Sequence, residues 1–385
     1  MAAGWAPFPP ADAGLSSSAM ALLELPVVDL CGTPAEMGRQ HGAALAEPIR
    51  AFVSQRLRAA KVYLWEHGLR DGAEANLRAA GQGCLEALAT WDAAGHIEHL
   101  ATAAAASVDP VDLYVAGNLT DVREIVSMPI APRPDPGREG CSTALVPASH
   151  SADGAVHAAM TWDLNPTDLE FVVALHRRPS NGPECWTITC TGCPSLMGLN
   201  ALGIAFGTTN IRVRGCRPGV PYLSILHRVA RAGTRNEALG IITGAPRCAA
   251  HTFWVADAAG ATDLECSPDR CFARDTTQGP LNRTNHCLDA DHAKSEEEPP
   301  TRSSRARFNR VGGRLAQGGI DVAALTALFC DRSDGVDSVN RYAEDAQGTI
   351  TDACIIAVPA RRELHACRGS ADRGRWVRFG FDSAR

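Results

Sequence analysis

Ala131-Pro-Arg-Pro-Asp-Pro-Gly-Arg138, followed by Glu139-Gly140-Cys141-Ser142-Thr143-Ala144-Leu145-Val146, is the stretch on which the reading of the chain turns. Its three prolines can neither continue a helix nor pair within a central strand, so an exposed linker is expected from Ile130 to Glu139. Gly140-Cys141 stands where that linker meets the first strand of a sheet. A thiol at such a boundary can do two jobs. In the intact chain it can attack the Gly140 carbonyl, which carries no side chain to block the approach. Once that bond is cut, the new α-amine of Cys141, with a pKa of about 7.7 to 8.0, can take the proton of its own thiol. Nucleophile and base then belong to one residue. The plain alternative, in a chain with 14 cysteines, is a buried structural thiol.

Upstream of this boundary the pattern is mainly helical. Met1 to Ser18 has no periodicity and reads as a flexible leader, and Leu23 to Leu30 reads as a strand. Thr33-Pro-Ala-Glu36 is a capping box with proline at the first helical position, so a helix is expected from there past Gly42 toward Tyr63. Helical patterns also cover Glu74 to Trp91, His96 to Ala106 and Pro110 to Glu124. Downstream the period becomes that of strands, at Thr143 to Val146, Ala155 to Thr161, Phe171 to His176, Cys185 to Thr191 and Ile204 to Thr208. Helices are expected again at Tyr222 to Ala232 and Asn236 to Thr243, then strands at Phe253 to Ala256 and Thr262 to Cys266. Arg305 to Leu315 and Val322 to Phe329 read as helices before closing strands near Ala353 to Val358 and Glu363 to Ala366. Such runs suggest two stacked sheets with helices outside them.

Composition narrows the class. The chain has 385 residues, 45% of them hydrophobic and 21% charged, the balance of a globular protein with a sizeable core. Its 37 basic and 43 acidic residues give a net charge of −6, with no basic strip to follow a phosphate backbone, so nucleic acid is not an expected partner. Arg305, Arg307 and Arg310 cluster behind Glu296, Glu297 and Glu298 and read as a solvated helix start. The apolar patch from Ala19 to Val28 is interrupted by Glu24 and lacks a basic segment before it, which makes a poor signal peptide. No stretch is apolar enough for a membrane span, so a cytoplasmic protein with mostly reduced cysteines is expected. The one CxxC, Cys190-Thr-Gly-Cys193, would need further ligands from Cys266, Cys271, His286 and Cys287 to hold zinc; two core thiols are the alternative, and no metal or cofactor is expected.

Further motifs stand in order along the chain: Gly32-Thr-Pro-Ala-Glu-Met-Gly-Arg-Gln-His-Gly42, Gly140-Cys-Ser-Thr143, Thr161-Trp-Asp163, Gly198-Leu-Asn-Ala-Leu-Gly203 leading to Thr208-Thr-Asn210, Leu264-Glu-Cys-Ser-Pro268, and Arg283-Thr-Asn-His-Cys287. On these residues the chain resembles the acyl-coenzyme A:isopenicillin N acyltransferase family, related to the choloylglycine hydrolases and penicillin V acylases, from Leu30 to about Val358. The resemblance implies a four-layer αββα sandwich of the N-terminal nucleophile hydrolase type, made as a precursor and cut between Gly140 and Cys141. Residues 23–140 would form a mostly helical small subunit and 141–385 the large catalytic one, in one intertwined domain.

By the same resemblance Cys141 is the nucleophile and Asp163 accepts a hydrogen bond from its ammonium. Asn210 and Asn285 are the candidates for the oxyanion hole, since an amide NH₂ can donate to the charge of a tetrahedral intermediate. Thr143 and Ser267 match positions that bind substrate. Asp163, Asn210 and Asn285 can each also be a turn residue, as can Ser267 in its Ser-Pro turn. His286 is expected to pack in a loop rather than act as the base. Where the penicillin acyltransferase has Ser-Arg before a late strand this chain has Gln347-Gly-Thr349, which points away from a β-lactam. The expected substrate is a small-molecule acyl amide or acyl thioester of specialised metabolism, with an amine acceptor where transfer replaces hydrolysis. Two rivals remain: a catalytically silent ligand-binding protein on the same fold, and a zinc or redox protein built on Cys190 and Cys193.

Overall fold

The structure, a computed structural model, describes residues 21–127, 140–345 and 348–381; the expected leader up to residue 20, the proline-rich linker and Gln347 lie outside the described residues. Strand β1 (Val27–Gly32) is followed by helices α1 (Pro34–Ala44), α2 (Ala46–Glu66), α3 (Ala73–Trp91), α4 (Ala93–Ala106), α5 (Pro110–Gly117) and α6 (Leu119–Ser127). Strands β2 (Gly140–Val146), β3 (His157–Leu164), β4 (Val172–Pro179), β5 (Cys185–Cys190), β6 (Met197–Asn200) and β7 (Ala205–Asn210) lead to helices α7 (Tyr222–Val229) and α8 (Arg235–Gly244). Next come β8 (His251–Asp257), β9 (Gly260–Cys266), β10 (Cys271–Asp275) and β11 (Leu281–Arg283), then α9 (Ala290–Lys294), α10 (Arg302–Ala316) and α11 (Val322–Phe329). The last strands are β12 (Ile350–Val358), β13 (Glu363–Arg368) and β14 (Val377–Phe379).

The described strands form two sheets, one in the order β1-β4-β5-β6-β7-β8-β9-β10 and one in the order β11-β2-β3-β12-β13-β14. Only β1 runs parallel to its neighbour. The sheets face each other across one core, in which Leu145, Met160 and Trp162 of β2 and β3 meet Ile188, Leu199 and Phe206 of the larger sheet. Helix α1 covers β1 and β4 through Leu30, Met37, Val173 and Leu175. On the far side, Val311, Leu315, Leu325 and Phe329 of α10 and α11 pack on Ala144, Val146 and Ala159 of the smaller sheet. The result is the expected αββα order of four layers. Among the described residues no helix is long and apolar enough to cross a membrane.

The Gly32–Gly42 motif has a structural explanation. Thr33 caps α1 with the full capping box, and the Gln40 amide clips the edge of β1 by donating to Cys31 O at 2.9 Å and accepting from Cys31 N at 2.8 Å. A Cβ on Gly38 or Gly42 would stand 2.3 Å from a carbonyl oxygen of α4, so only glycine lets the two helices meet this closely. His41, pushed down to about 4 by burial and by Arg177, is a neutral acceptor for the Gly192 N–H at 3.0 Å.

The expected single helix from Thr33 to Tyr63 breaks at Leu45. Pro48 is the cause: it has no N–H, and its ring would strike the carbonyl four residues earlier, so it is tolerated only in the first turn of a new helix. The helix expected over Pro110 to Glu124 likewise divides at Asn118, whose side chain donates to Tyr114 O at 3.1 Å. Strand β1 begins after Pro26 rather than at Leu23, which makes only an isolated bridge to Gly374.

Candidate active site

Cys141 is the second residue of β2 and lies between the sheets, 6% exposed, paired across the hairpin with Trp162. Its backbone N–H donates to Asn285 Oδ1 at 2.9 Å. The Asn285 amide in turn donates to Asn210 O at 3.0 Å, which leaves its second N–H for another acceptor. Asn210 ends β7, on the opposite sheet. Thr209 beside it donates to Thr284 O at 3.3 Å, so two of the sequence motifs interlock directly above Cys141.

The loop that carries Asn285 is held on three sides. Before it, Arg283 pairs with Asp263 and Glu265 of β9. After it, Glu265 accepts Leu288 N–H at 2.8 Å and Asp289 N–H at 3.2 Å; burial pushes its carboxyl up, but the hydrogen bond with His292, then Arg283 and the Leu288 N–H, hold it down at about 2. From α10, Ser304 Oγ accepts Asn285 N–H at 3.0 Å and meets His286 Nδ1 at 2.8 Å. His286 also rests edge-on against Phe308, and burial pushes its imidazole down to about 4.

Gly140 and Asp163 are Cα partners at the open end of the β2–β3 hairpin. A Cβ on Gly140 would lie 2.8 Å from Asp163 Oδ2 and 3.0 Å from Arg341 Nη1. Asp163 is wholly buried, and burial raises its carboxyl to about 6 despite Arg341 and Arg307, which pull it down. Arg341 Nε stands 3.7 Å from Asp163 Oδ2, and the Arg341 guanidinium is braced by Thr349 and Ser303. The hydroxyls of Thr161 and Thr351 each accept a backbone N–H and flank the carboxylate.

Arg307 is the main correction to the sequence reading. It is not part of a solvated helix start: it is 1% exposed, and its guanidinium contacts Cys141 O, Ser142 Oγ at 3.1 Å and Asn285 Oδ1 at 3.0 Å. The signal was in the spacing, since Ser304, Arg307, Val311 and Leu315 form the buried stripe of α10 at helical period. Nor do the three glutamates offset this arginine. Glu297 and Glu298 pair with Arg212 at 2.7 and 3.0 Å, and Glu296 accepts Cys287 N–H at 2.9 Å. Burial and the neighbouring Arg341 pull Arg307 down to about 10, so it remains a cation at neutral pH. Arg341 carries no motif and was invisible in the sequence.

The other expected site residues divide. Thr143 is buried on the same face of β2 as Cys141, and its hydroxyl has no hydrogen-bond partner among the described residues. Ser267 lies in the β9–β10 turn, its hydroxyl accepting Arg270 N–H at 3.2 Å. Asn200 of the Gly198–Gly203 motif spends its side chain on Ala230 O, Ala232 O and the N–H groups of Leu202 and Ile204, tying a turn to the end of α7. Cys190 and Cys193 are buried thiols at the end of β5, and among the described residues no group of three or more His, Cys, Asp or Glu side chains is arranged to hold a metal.

The αββα sandwich is of the N-terminal nucleophile hydrolase type. Residues 152–373, more than half of the chain, match the model of the acyl-coenzyme A:6-aminopenicillanic acid acyl-transferase family, and the chain belongs to that family of acyltransferases and amide hydrolases. Among solved structures, a mutant of the conjugated bile acid hydrolase from Clostridium perfringens is similar at 10% identity, covering 64% of this chain and 99% of that one with a TM-score of 0.42. The penicillin V acylase from Agrobacterium tumefaciens is similar at 12% identity, covering 63% of this chain and 86% of that one with a TM-score of 0.44. No curated protein matches the chain.

Proposed function

We propose that the chain cuts itself between Gly140 and Cys141 and then acts through Cys141 as an amidohydrolase or acyltransferase on a small-molecule acyl amide or acyl thioester. The observation that carries this reading is the grip on the residue that would become the terminus: Asn285 accepts Cys141 N–H while Arg307 holds both Cys141 O and Asn285. An amine at that position keeps one N–H on Asn285 and turns its lone pair toward the thiol of the same residue. In this reading Asp163, beside Gly140, accepts a hydrogen bond from the resulting ammonium and orients it.

Attack of the thiolate on the substrate carbonyl makes a tetrahedral oxyanion. The remaining Asn285 N–H, an Asn210 side chain at the end of β7 and the excess of two guanidiniums over one carboxylate favour that charge. Collapse expels the amine, which takes its proton from the Cys141 α-ammonium, or the thiolate, and leaves an acyl-Cys141 thioester, released to water or to an amine acceptor according to which is held in place. Thr143, and less directly Ser267, are the substrate-side candidates. No metal or cofactor enters this scheme. The absence of Ser-Arg before β12 supports an acyl or aminoacyl amide of specialised metabolism over a β-lactam.

A silent ligand carrier has no use for Asn285 and Arg307 gripping the backbone of Cys141 with a buried Asp163 beside Gly140, which favours the enzyme. Incubation with a short-chain acyl thioester, followed by denaturing mass measurement, tests the choice. The acyl mass is expected on the fragment beginning with Cys141 and is expected to be discharged by hydroxylamine; an unlabelled fragment in every acyl series tried would support the carrier.

A further inference from the structure

Two thiols face each other at the hairpin end of β9, away from the contacts that hold Cys141. We propose that Cys266 and Cys271 are a reversible dithiol that is closed to a disulfide by a low-molecular-weight disulfide such as oxidised glutathione. The two residues are Cα partners across β9 and β10, and their Sγ atoms lie 2.7 Å apart. In the turn between them Ser267 N–H donates to Arg270 O at 2.8 Å, which makes Ser267 and Arg270 a hydrogen-bonded pair. Alternation along an antiparallel ladder then puts Cys266 and Cys271 at a non-hydrogen-bonded position. There Cα atoms approach to about 4.5 Å, within the span of a disulfide.

The surroundings select this pair over the other close thiols. Cys354 and Cys367 also face each other, across β12 and β13, but both are wholly buried. Cys190 and Cys193 are buried as well, and burial pushes the Cys193 thiol up to about 12. Cys271 is partly exposed, and its hydrogen bond to Cys266, with Arg247 and His292 nearby, holds its thiol down at about 7. It is therefore the attacking group and Cys266 the resolving one.

The Cys271 thiolate attacks one sulfur of oxidised glutathione and expels a glutathione thiolate. Cys266 gives its proton to solvent, attacks the Cys271 sulfur of the mixed disulfide and expels the second glutathione. Two protein thiols are oxidised and one glutathione disulfide is reduced to two thiols. The bond fixes the end of the strand on which Glu265, next to Cys266, anchors the backbone of Leu288 and Asp289 behind Asn285.

The full chain, equilibrated in glutathione buffers of rising oxidised fraction, blocked with N-ethylmaleimide and digested with trypsin without reductant, tests this. Cleavage after Arg247, Arg270 and Arg274 separates the peptide 248–270 from the peptide 271–274. The expected result is that the two come joined, two hydrogens lighter than their sum, with fragment ions placing the link on Cys266 rather than Cys248, and that reductant parts them. Cys271→Ser, checked for an unchanged Tm in reducing buffer, is expected to lose the joined species. If both cysteines carry N-ethylmaleimide throughout the range, or Cys271 stops at the glutathione adduct or links to another cysteine, the proposal is wrong.

Discussion

Gly140 has no room for a side chain. A methyl group there would overlap Asp163 Oδ2 and the Arg341 guanidinium, and relieving such crowding costs about 1–3 kcal/mol, or about 5- to 160-fold in rate if it falls on the cleavage step. Gly140→Ala is expected to fold and to mature slowly, read as precursor remaining on a denaturing gel over time. Asp163 sets the pH dependence. Its carboxyl, raised to about 6, takes up a proton as pH falls through that value, and the charge meant for the Cys141 ammonium is lost. The kcat of the cleaved enzyme is therefore expected to fall by about tenfold per pH unit below about 6, and Asp163→Asn to turn over slowly at every pH; a wild-type profile flat between pH 5 and 7 would count against the role. Stability has the opposite sign. A folded value above the ordinary 3.8 favours the folded state in acid, and that contribution is lost as pH rises from about 4 through about 6. Arg307→Lys keeps the cation but not the fork that reaches Cys141 O and Asn285 together. A loss of at least about 10²-fold in kcat, with smaller change in KM, is expected from the disturbed geometry.

Elements deliver these residues, and Ser304 on α10 is the joint between helix and loop. Its hydroxyl satisfies Asn285 N–H and contacts His286. Ser304→Ala is expected to cost about 1–3 kcal/mol in denaturant unfolding and to depress turnover further by loosening Asn285, whereas a variant equally destabilised elsewhere should keep its kcat. At this scale the sequence was legible where period and capping were strong. The capping box at Thr33, the strand period after Cys141 and the helices α3, α4, α7 and α8 appear close to where they were expected. It was not legible where long-range contacts decide. Strand β11 has three residues and one apolar side chain, and it exists because Arg283 reaches across to Asp263 and Glu265. Strands β6 and β14, four and three residues long, are too short for a period to show, although each pairs with the strand just before it. Cys141, Asp163, Asn210 and Asn285 were named from motifs; Arg341 was not, because nothing local distinguishes an arginine that only the folded chain brings to Asp163.

The whole molecule binds the two sides of the Gly140–Cys141 bond to each other. Ile49, Phe52 and Leu113 share one core with Met160, Ile188 and Phe206. Asp121 of α6 meets His251 at 2.6 Å and accepts Tyr222 N–H at 3.1 Å, while Glu124 stands 3.4 Å from Arg212. The fragments are therefore expected to stay associated after cleavage, giving one particle of 40.7 kDa or an oligomer of it by native mass. Separation under native conditions would contradict the shared core. The most direct test of the account is the intact mass of freshly purified protein under denaturing conditions beside a Cys141→Ala variant. Cleavage divides 385 residues into 140 and 245, about 15 and 26 kDa at the chain's mean residue mass. Self-cleavage before Cys141 yields those two pieces from the wild type and leaves the variant uncut; a wild type that stays whole, or a variant cut at the same place, would contradict it.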